Sequence, residues 1–389
     1  MEVFVLLMVT VSLSLNFIYT VSTFYFARKS AIGMDKEKYP MVSILKPVKG
    51  IDDEMKRNIE SFYKLDYPDY EILFGVDSMC DDVTELIGSV SLRFPHVRTR
   101  IIATGHRGDI NPKVHKLAVL ERSAKGKLFW VSDSNIRIKP DTLKSLTEEY
   151  ILNGTHLVFS PIKGYGSRTF GSLMENSYIS HYLSGNVLGS WTLFRKEVVV
   201  GKSMLIERKA IRSFGGFSYF QNYLAEDQII GETFRSSGYK ISTNATWVTN
   251  FNSSSTIKSF YGRMSRWAKL RFNMHRSIYF GEVLTNTTVT AAAVFPVFEK
   301  TALILFPVIL FLRVLMETAT YIRVSGDDPQ LIRKIILIPA VVIVKDLINF
   351  AVWFTPFYSN QVNWRGGSIR IGKRTLLAHS LEQLAVKGA

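Results

Sequence analysis

The chain has 389 residues, room for one large domain or two ordinary ones, and its 47% hydrophobic content is compatible with a substantial core. A formal net charge of +15 points to nucleic acid, an anionic membrane surface or a phosphorylated substrate, and the Lys and Arg residues are not gathered into one basic tail. The only cysteine, Cys80, excludes an intrachain disulfide framework and a multi-thiolate zinc site, and suits a reducing compartment.

Val3 to Phe26 carry no charged side chain, and a helix of that length crosses a hydrocarbon core of roughly 30 Å. Positive charge follows this run instead of preceding it, so residues 1–27 read as a retained transmembrane signal anchor. Arg28, Lys29, Lys36 and Lys38 then put the following domain in the cytosol by the positive-inside rule.

From about 40 to 280 the pattern alternates. "MVSILKP", "EILFGV", "TRIIAT" and "KLFWVSD" read as strands, separated by the helical stretches "IDDEMKRNIESFYKL", "DVTELIGSVSLRF" and "KVHKLAVLERSA". Such alternation predicts an α/β fold with a mostly parallel, Rossmann-like sheet, whose ligand lies at the carboxyl edge of the strands.

Several residues fall at that edge. In "DSMCDD" (77–82), Asp82 suits a nucleotide or ribose contact, or the N-terminus of a helix starting near Val83. Lys113 stands near a helix start where it meets phosphate or uracil oxygens, or solvent. Asp133 emerges from an apolar strand, where its oxygens can hold Mg²⁺ or Mn²⁺ against a diphosphate, with Ser134 and Asn135 adding neutral oxygens; the plain alternative is a turn cap.

In "YLAEDQIIGETF" (223–234) Glu226 and Asp227 occupy a first helical turn, where the dipole favours acids and keeps Asp227 ionised, able to act as a general base on an acceptor hydroxyl. In "SFYGRMSRWAKLRFNMH" (259–275) Arg263, Arg266, Trp267 and Leu270 share a helix face, two guanidinium forks suited to a diphosphate beside an indole. An amphipathic interfacial helix is compatible with the same pattern.

The apolar runs 289–316 and 335–358 are broken by Pro296, Pro307, Pro339, Glu299, Lys300 and Lys345, and they predict two or three membrane-crossing or re-entrant segments between 283 and 358, with 359–389 as a tail. Trp353 and Tyr358 suit a membrane interface, and charges inside the runs are expected to face protein or a polar cleft. N-x-S/T sequons begin at Asn153, Asn244, Asn252 and Asn286; a cytosolic domain makes them chance matches.

With "LKPVKGID", "SFYKLDYPDYEIL", "INPKVHKL", "SDSNIRIKPDTL", "YLAEDQ", "RMSRWAKLRFNM" and "VNWRGGSIRI" in this order, the chain resembles the ceramide glucosyltransferases of glycosyltransferase family 21 from about Val42 to Arg370. That resemblance implies a GT-A catalytic domain flanked by N-terminal and C-terminal transmembrane helices, in a multi-pass Golgi membrane protein whose catalytic domain faces the cytosol. It implies inverting transfer of glucose from UDP-glucose to the primary hydroxyl of ceramide, giving β-glucosylceramide and UDP with the help of a divalent cation.

By motif, the family's three aspartates fall on Asp82, Asp133 and Asp227, and its R/Q-x-x-R-W box on Arg263, Arg266 and Trp267. Asp82, Lys113 and Asp133 are then the UDP-glucose contacts, Asp133 the metal ligand and Asp227 the base. "DSMCDD" is longer than the usual D-D-P, which leaves Asp77 or Asp81 as alternatives to Asp82, and D-S-N stands where a full D-x-D is usual. His181 matches the family's active-site histidine or is a polar loop residue, in a stretch (181–204) longer than the family's. A processive polysaccharide synthase and a catalytically inactive sphingolipid-binding membrane protein are the rival readings. A nucleic-acid binder is disfavoured, since Walker A and common nucleic-acid-binding signatures are absent and lipid and diphosphate account for the charge.

Overall fold

The computed structural model describes residues 1–26, 35–196, 198–364 and 367–377. Arg28 and Lys29, on which the orientation argument leans, and the tail beyond 377 lie outside the described residues. In chain order, helix α1 (Glu2–Phe26) precedes β1 (Val42–Pro47), α2 (Met55–Tyr63), β2 (Tyr70–Val76), α3 (Asp82–Ser91), β3 (Arg98–Ala103), α4 (Pro112–Ser123) and β4 (Leu128–Ser132). Then come β5 (Ile136–Arg137), α5 (Thr142–Asn153), β6 (Leu157–Phe159), β7 (Ile162–Tyr165), α6 (Phe170–Ser177), a π-helical turn (Tyr178–Leu183) and α7 (Ser184–Phe194). They are followed by β8 (Ser203–Glu207), α8 (Arg208–Arg212), α9 (Glu226–Ser236), β9 (Ile241–Thr243), β10 (Val248–Phe251), α10 (Ile257–Met274), α11 (Arg276–Gly281), α12 (Thr287–Ala292), α13 (Phe295–Ser325) and α14 (Leu331–Trp353).

The chain divides into two compact units, and each is described by itself. The α/β unit, 35–162 with 196–251, is built on a seven-stranded sheet of order β3-β2-β1-β4-β8-β6-β9. β1 pairs parallel with β2 and β4, with Leu45 opposite Leu73 and Ile44 opposite Trp130, and β3 extends the parallel set. Strands covered on both faces read as continuous apolar runs, and β4 is buried along its whole length. Trp130 is fully buried; it packs on Phe62 and donates from Nε1 to Ser203 Oγ at 3.0 Å.

β8 is the departure from a uniformly parallel sheet: it runs antiparallel to both β4 and β6. The reversal matters for the site. Its first residue, Ser203, lies opposite Ser132, so the Gly201–Lys202 turn is delivered to the same edge at which β4 releases Asp133.

The helical unit comprises 1–26, 163–195 and 252–377. Among the described residues, three helices are long and apolar enough to cross a membrane: Glu2–Phe26, Phe295–Ser325 and Leu331–Tyr358. Val5 and Val9 of α1 pack with Ala291, Val294, Ala302 and Ile309, while a second core joins α6, α10 and α14 through Met174, Phe260, Met264, Ile338 and Val342. α13 breaks at Glu299, whose φ of 45° and ψ of −117° interrupt the hydrogen-bonding ladder. The expectation that charges within the apolar runs face protein holds for buried Lys345; Glu299 and Lys300 instead lie exposed at this break near the start of α13.

Candidate active site

The α/β unit gathers charged residues from four elements at the carboxyl edge of β4. Pro112 opens α4 at a position where a missing N–H costs nothing, and Asn111 caps the helix by accepting from the backbone N–H groups of Lys113 (3.0 Å) and Val114 (3.3 Å). The Asn111 side chain also donates to Tyr223 O at 2.9 Å and Glu226 Oε2 at 3.2 Å, which ties the start of α4 to the start of α9. Lys113 thereby projects among the acids: its Nζ is 2.9 Å from Asp133 Oδ1, 3.0 Å from Glu226 Oε1 and 3.0 Å from Gly201 O.

Asp133 keeps 26% of its side chain exposed and shares its second oxygen with Lys202, 3.3 Å away. Burial alone would raise its pKa; the ammonium groups of Lys113 and Lys202 overturn that and hold the carboxyl well below the usual carboxylate range. For Lys113, burial pulls the other way, and the charges of Asp133, Glu226 and Asp227 outweigh it, so this ammonium stays protonated.

Asp227 accepts from Gly201 N at 2.7 Å through Oδ2 and from Gln228 N at 2.9 Å through Oδ1. Burial, followed by the neighbouring Glu226 charge, nevertheless pushes its pKa up to about 6, against the lowering influence of Lys113 and the two backbone donors. The sequence expectation that the helix dipole keeps Asp227 ionised underestimates burial and the Glu226 charge. An acid with a pKa near 6, held by two fixed donors, is suited to take and release a proton near neutrality.

Lys113, Asp133 and Asp227 therefore lie together at this edge. Asp82 behaves differently: it is the exposed first residue of α3, behind Asp81 at the cap. Asp77 follows β2 directly, pairs with the buried Lys116, and lies 3.9 Å from Lys49 Nζ and 3.8 Å from His106 Nδ1. Lys116 also donates to Val48 O at 2.9 Å, so Asp77 is braced at the sheet edge in a way Asp82 is not.

Sequence reasoning missed three contributors. Lys202 and Gly201 precede an apolar strand whose direction cannot be read from its side chains. Lys46, fully buried at the end of β1, donates to Asp133 O at 3.1 Å and lies 3.6 Å from the centre of the Phe62 ring; burial pushes its pKa down to about 7. Their available signals were a Gly-Lys pair before "SMLI" and a lone lysine inside an apolar strand.

Ser134 donates to Asp52, which leaves Asn135 as the neutral oxygen beside Asp133. Asp133 Oδ2 and Asn135 Oδ1 converge on Lys202 Nζ at 3.3 and 3.4 Å. Among the described residues no group of three acidic, histidine or cysteine side chains is arranged to hold a metal. One carboxylate and one amide oxygen still fit a hard divalent cation whose remaining ligands are phosphate oxygens and water.

The other predicted residues belong to the helical unit. Arg263 donates to Glu175, a fully buried carboxylate that also accepts from Ser255 Oγ at 3.0 Å. Arg266 and Trp267 are half-buried one turn further along α10, the indole 6.0 Å from the Tyr178 ring. His181 is not in a loop: it lies in the π-helical turn, 1% exposed, with Nδ1 3.1 Å from Thr320 Oγ1 and Nε2 3.0 Å from Asn16 Oδ1. Burial and then the Arg313 charge hold its imidazole well below its ordinary pKa, so it is neutral with both nitrogens engaged.

A mannosyltransferase from Pyrobaculum calidifontis, solved in complex with GDP-Man and Mn²⁺, aligns with a TM-score of 0.50 at 13% identity, covering 92% of this chain and 99% of that one, a likeness of fold. Ceramide glucosyltransferase 3 of Caenorhabditis elegans is 30% identical over 253 residues, 64% of this chain and 54% of that protein. Ceramide glucosyltransferase 1 of the same organism is 30% identical over 243 residues, 60% of this chain and 50% of that protein. The chain spans about half the length of these curated relatives. The family model of glycosyl transferase family 21 matches residues 6–377, taking in the strands that release Asp133 and the helix that bears Arg263 alike, and the chain belongs to that family.

Proposed function

We propose that this chain is an inverting ceramide glucosyltransferase that moves glucose from UDP-glucose to the primary hydroxyl of ceramide, in a multi-pass Golgi membrane protein with its catalytic domain facing the cytosol. The observation that carries the reading is that a carboxylate held by backbone donors, Asp227, and a lysine-compensated carboxylate, Asp133, lie at one sheet edge. Family membership and relatives named ceramide glucosyltransferase support the acceptor class.

In the proposed reaction the ceramide oxygen attacks the anomeric carbon from the face opposite UDP. Its proton passes to Asp227, a carbon–oxygen bond forms, and the bond to the β-phosphate oxygen breaks with its electrons leaving on UDP. A neutral alcohol is a poor nucleophile and a diphosphate a poor leaving group, so the base and the cationic residues serve different halves of one transition state. Lys113 and Lys202 are positioned to exchange carboxylate for diphosphate oxygens. A bound Mg²⁺ or Mn²⁺ would be held by Asp133 with Asn135 beside it, and would neutralise diphosphate charge.

At the nucleotide end we assign Asp77, one of the two alternatives left open by the sequence, ahead of Asp81 and Asp82, because Asp77 combines an edge position with the Lys116 brace. From the resemblance, Arg266 and Trp267 contribute to substrate binding. Arg263, held by Glu175, and His181, held by Asn16 and Thr320, act as positioning residues in the helical unit. Incubating the detergent-purified protein with labelled UDP-hexoses and short-chain ceramide or sugar acceptors, with and without chelator, tests the reading. Labelled glucosylceramide is expected; a sugar polymer, or no product from any donor, overturns it.

A further inference from the structure

Beside the carboxylate of Asp133 the α/β unit builds a short relay of side chains. Asn135 follows at the same edge, and its backbone carbonyl accepts from Phe251 N at 2.9 Å. Its amide Nδ2 donates to Asn250 Oδ1 at 3.0 Å, and Asn250, on β10, is fully buried. The Asn135 oxygen is thereby turned to Lys202, whose Nζ lies 3.4 Å from it and 3.3 Å from Asp133 Oδ2.

The direction of the relay is fixed. Turning Asn135 over would set its NH₂ against the Lys202 ammonium, and turning Asn250 with it would not relieve that contact. The arrangement leaves Asn250 Nδ2 buried without a partner among the described residues. A buried donor left unpaired calls for an explanation, and aiming the Asn135 oxygen at the site supplies one.

The two lysines on Asp133 are held differently. Lys113 Nζ is 2.9 Å from Oδ1 and also meets Glu226 Oε1 and Gly201 O at 3.0 Å each, close to the separations of well-formed charge-assisted bonds. Lys202 reaches its two oxygens at longer range, and they are the same two assigned above to a divalent cation. Its backbone is fixed all the same, because Gly201 is tied to Asp227 through its N–H and to Lys113 through its carbonyl, and Ser203 pairs in register with Ser132. A flexible lysine stem on a fixed backbone can leave the oxygen pair and return without disturbing the fold.

We propose that the Lys202 ammonium is a tethered cation holding the place of the divalent one, so that ammonium and metal ion exclude each other from Asp133 Oδ2 and Asn135 Oδ1, with Asn250 as the positioning residue for the shared amide oxygen. Two cations cannot close on one carboxylate–amide pair without strong repulsion. Lys202 must therefore leave before Mg²⁺ or Mn²⁺ enters, and the apparent metal affinity is set by the fraction of molecules in which it has left. The inference rests on Asp133 being the cation ligand of the reading above; it needs neither sugar donor nor acceptor.

The test titrates the full chain in detergent, free of nucleotide, with Mn²⁺ and reads bound ion from the loss of the free Mn²⁺ paramagnetic resonance signal. The component abolished by Asp133→Asn defines the site. Lys202→Met should tighten this component by about tenfold, the gain expected if the lysine fills the pair in about nine molecules of ten. Lys202→Ala is measured alongside, and thermal midpoints show which replacements are folded. Lys113→Met removes one charge from the same carboxylate but leaves the pair filled, and should tighten binding less. Through-space attraction alone predicts the opposite order, because Lys113 stands closer to Asp133. The gain from Lys202→Met should also shrink when combined with Asn135→Ala, or with Asn250→Leu, which keeps the volume and loses the amide. Equal affinity with and without Lys202, a larger gain from Lys113→Met, a gain independent of Asn135, or no component sensitive to Asp133→Asn in any variant overturns the proposal. Glucosyl transfer without such a Mn²⁺ site would refute this inference and leave the function standing; the site without transfer would do the reverse.

Discussion

Lys113 Nζ stands 2.9 Å from Asp133 Oδ1, and the same ammonium is 3.0 Å from Glu226 Oε1. One lysine at a helix start thus joins the acid released by β4 to the acidic first turn of α9. Without it, the clustered carboxylates of Asp133, Glu226 and Asp227 would face one another uncompensated. In the proposed reaction a nucleotide diphosphate would bring a competing set of anionic oxygens, and Lys113 and Lys202, both paired with Asp133, are the groups we assign to meet it.

If Asp227 is the base, as proposed, its raised pKa gives the reaction a pH signature. A base must be ionised to act, so kcat/KM is expected to rise with pH through about 6 and to fall as pH drops below it. Asp227→Asn should remove this limb and about 10²–10⁴-fold of the rate while UDP-glucose still binds. Because Lys113 lowers the Asp227 pKa, Lys113→Met should move the limb to higher pH in whatever activity remains. Loss of nucleotide binding in Asp227→Asn would take this residue out of the base role.

Gly201 matters for its missing side chain. A Cβ there would lie 2.9 Å from both Cβ and Oδ2 of Asp227, closer than real contacts allow, and Gly201 N is one of the donors that orient this carboxylate. Gly201→Ala should therefore cost about tenfold to a hundredfold in kcat, as expected for a reacting group displaced by a fraction of an ångström, with the UDP dissociation constant little changed. Unchanged kcat would mean that Asp227 does not need this donor.

Asp77 and Asp82 make opposite predictions. Asp77→Asn should weaken UDP binding by about tenfold, measured calorimetrically on protein whose thermal unfolding shows that it is folded. Asp82, exposed at the start of α3, should tolerate Asn with little change. The reverse ranking would restore the motif-based assignment.

Much of this was legible in the sequence. The apolar runs of β1, β2 and β4 announce a sheet covered on both faces, and Asp133 at the end of such a run can lie only at its carboxyl edge. The reversal of β8 was not legible, since "SMLIE" has the same side chains whichever way it pairs, and Lys202 was lost with it. His181 was obscured because its partners, Asn16 and Thr320, are 165 and 139 residues away. The balance between burial and the helix dipole at Asp227 likewise needs the packed structure, because Gly201 and Lys113 reach it from other elements.

The sequons supply a test of orientation, and the fold narrows it to one residue. Asn244 is 3% exposed and donates to Ser145 Oγ at 3.3 Å; Asn252 is 7% exposed; Asn286 donates to Asp346 O at 2.7 Å. An oligosaccharide on any of these three would have to displace packed structure, so their lack of modification would say nothing about topology. Asn153 is different, because it ends α5 in the open, with Gly154 turning the chain away at φ 58°. If the α/β unit faces the cytosol, protein made in microsomes should run at the same mass before and after endoglycosidase treatment. A glycosidase-sensitive shift abolished by Asn153→Gln would put the sheet edge in the lumen and overturn the orientation proposed for the enzyme.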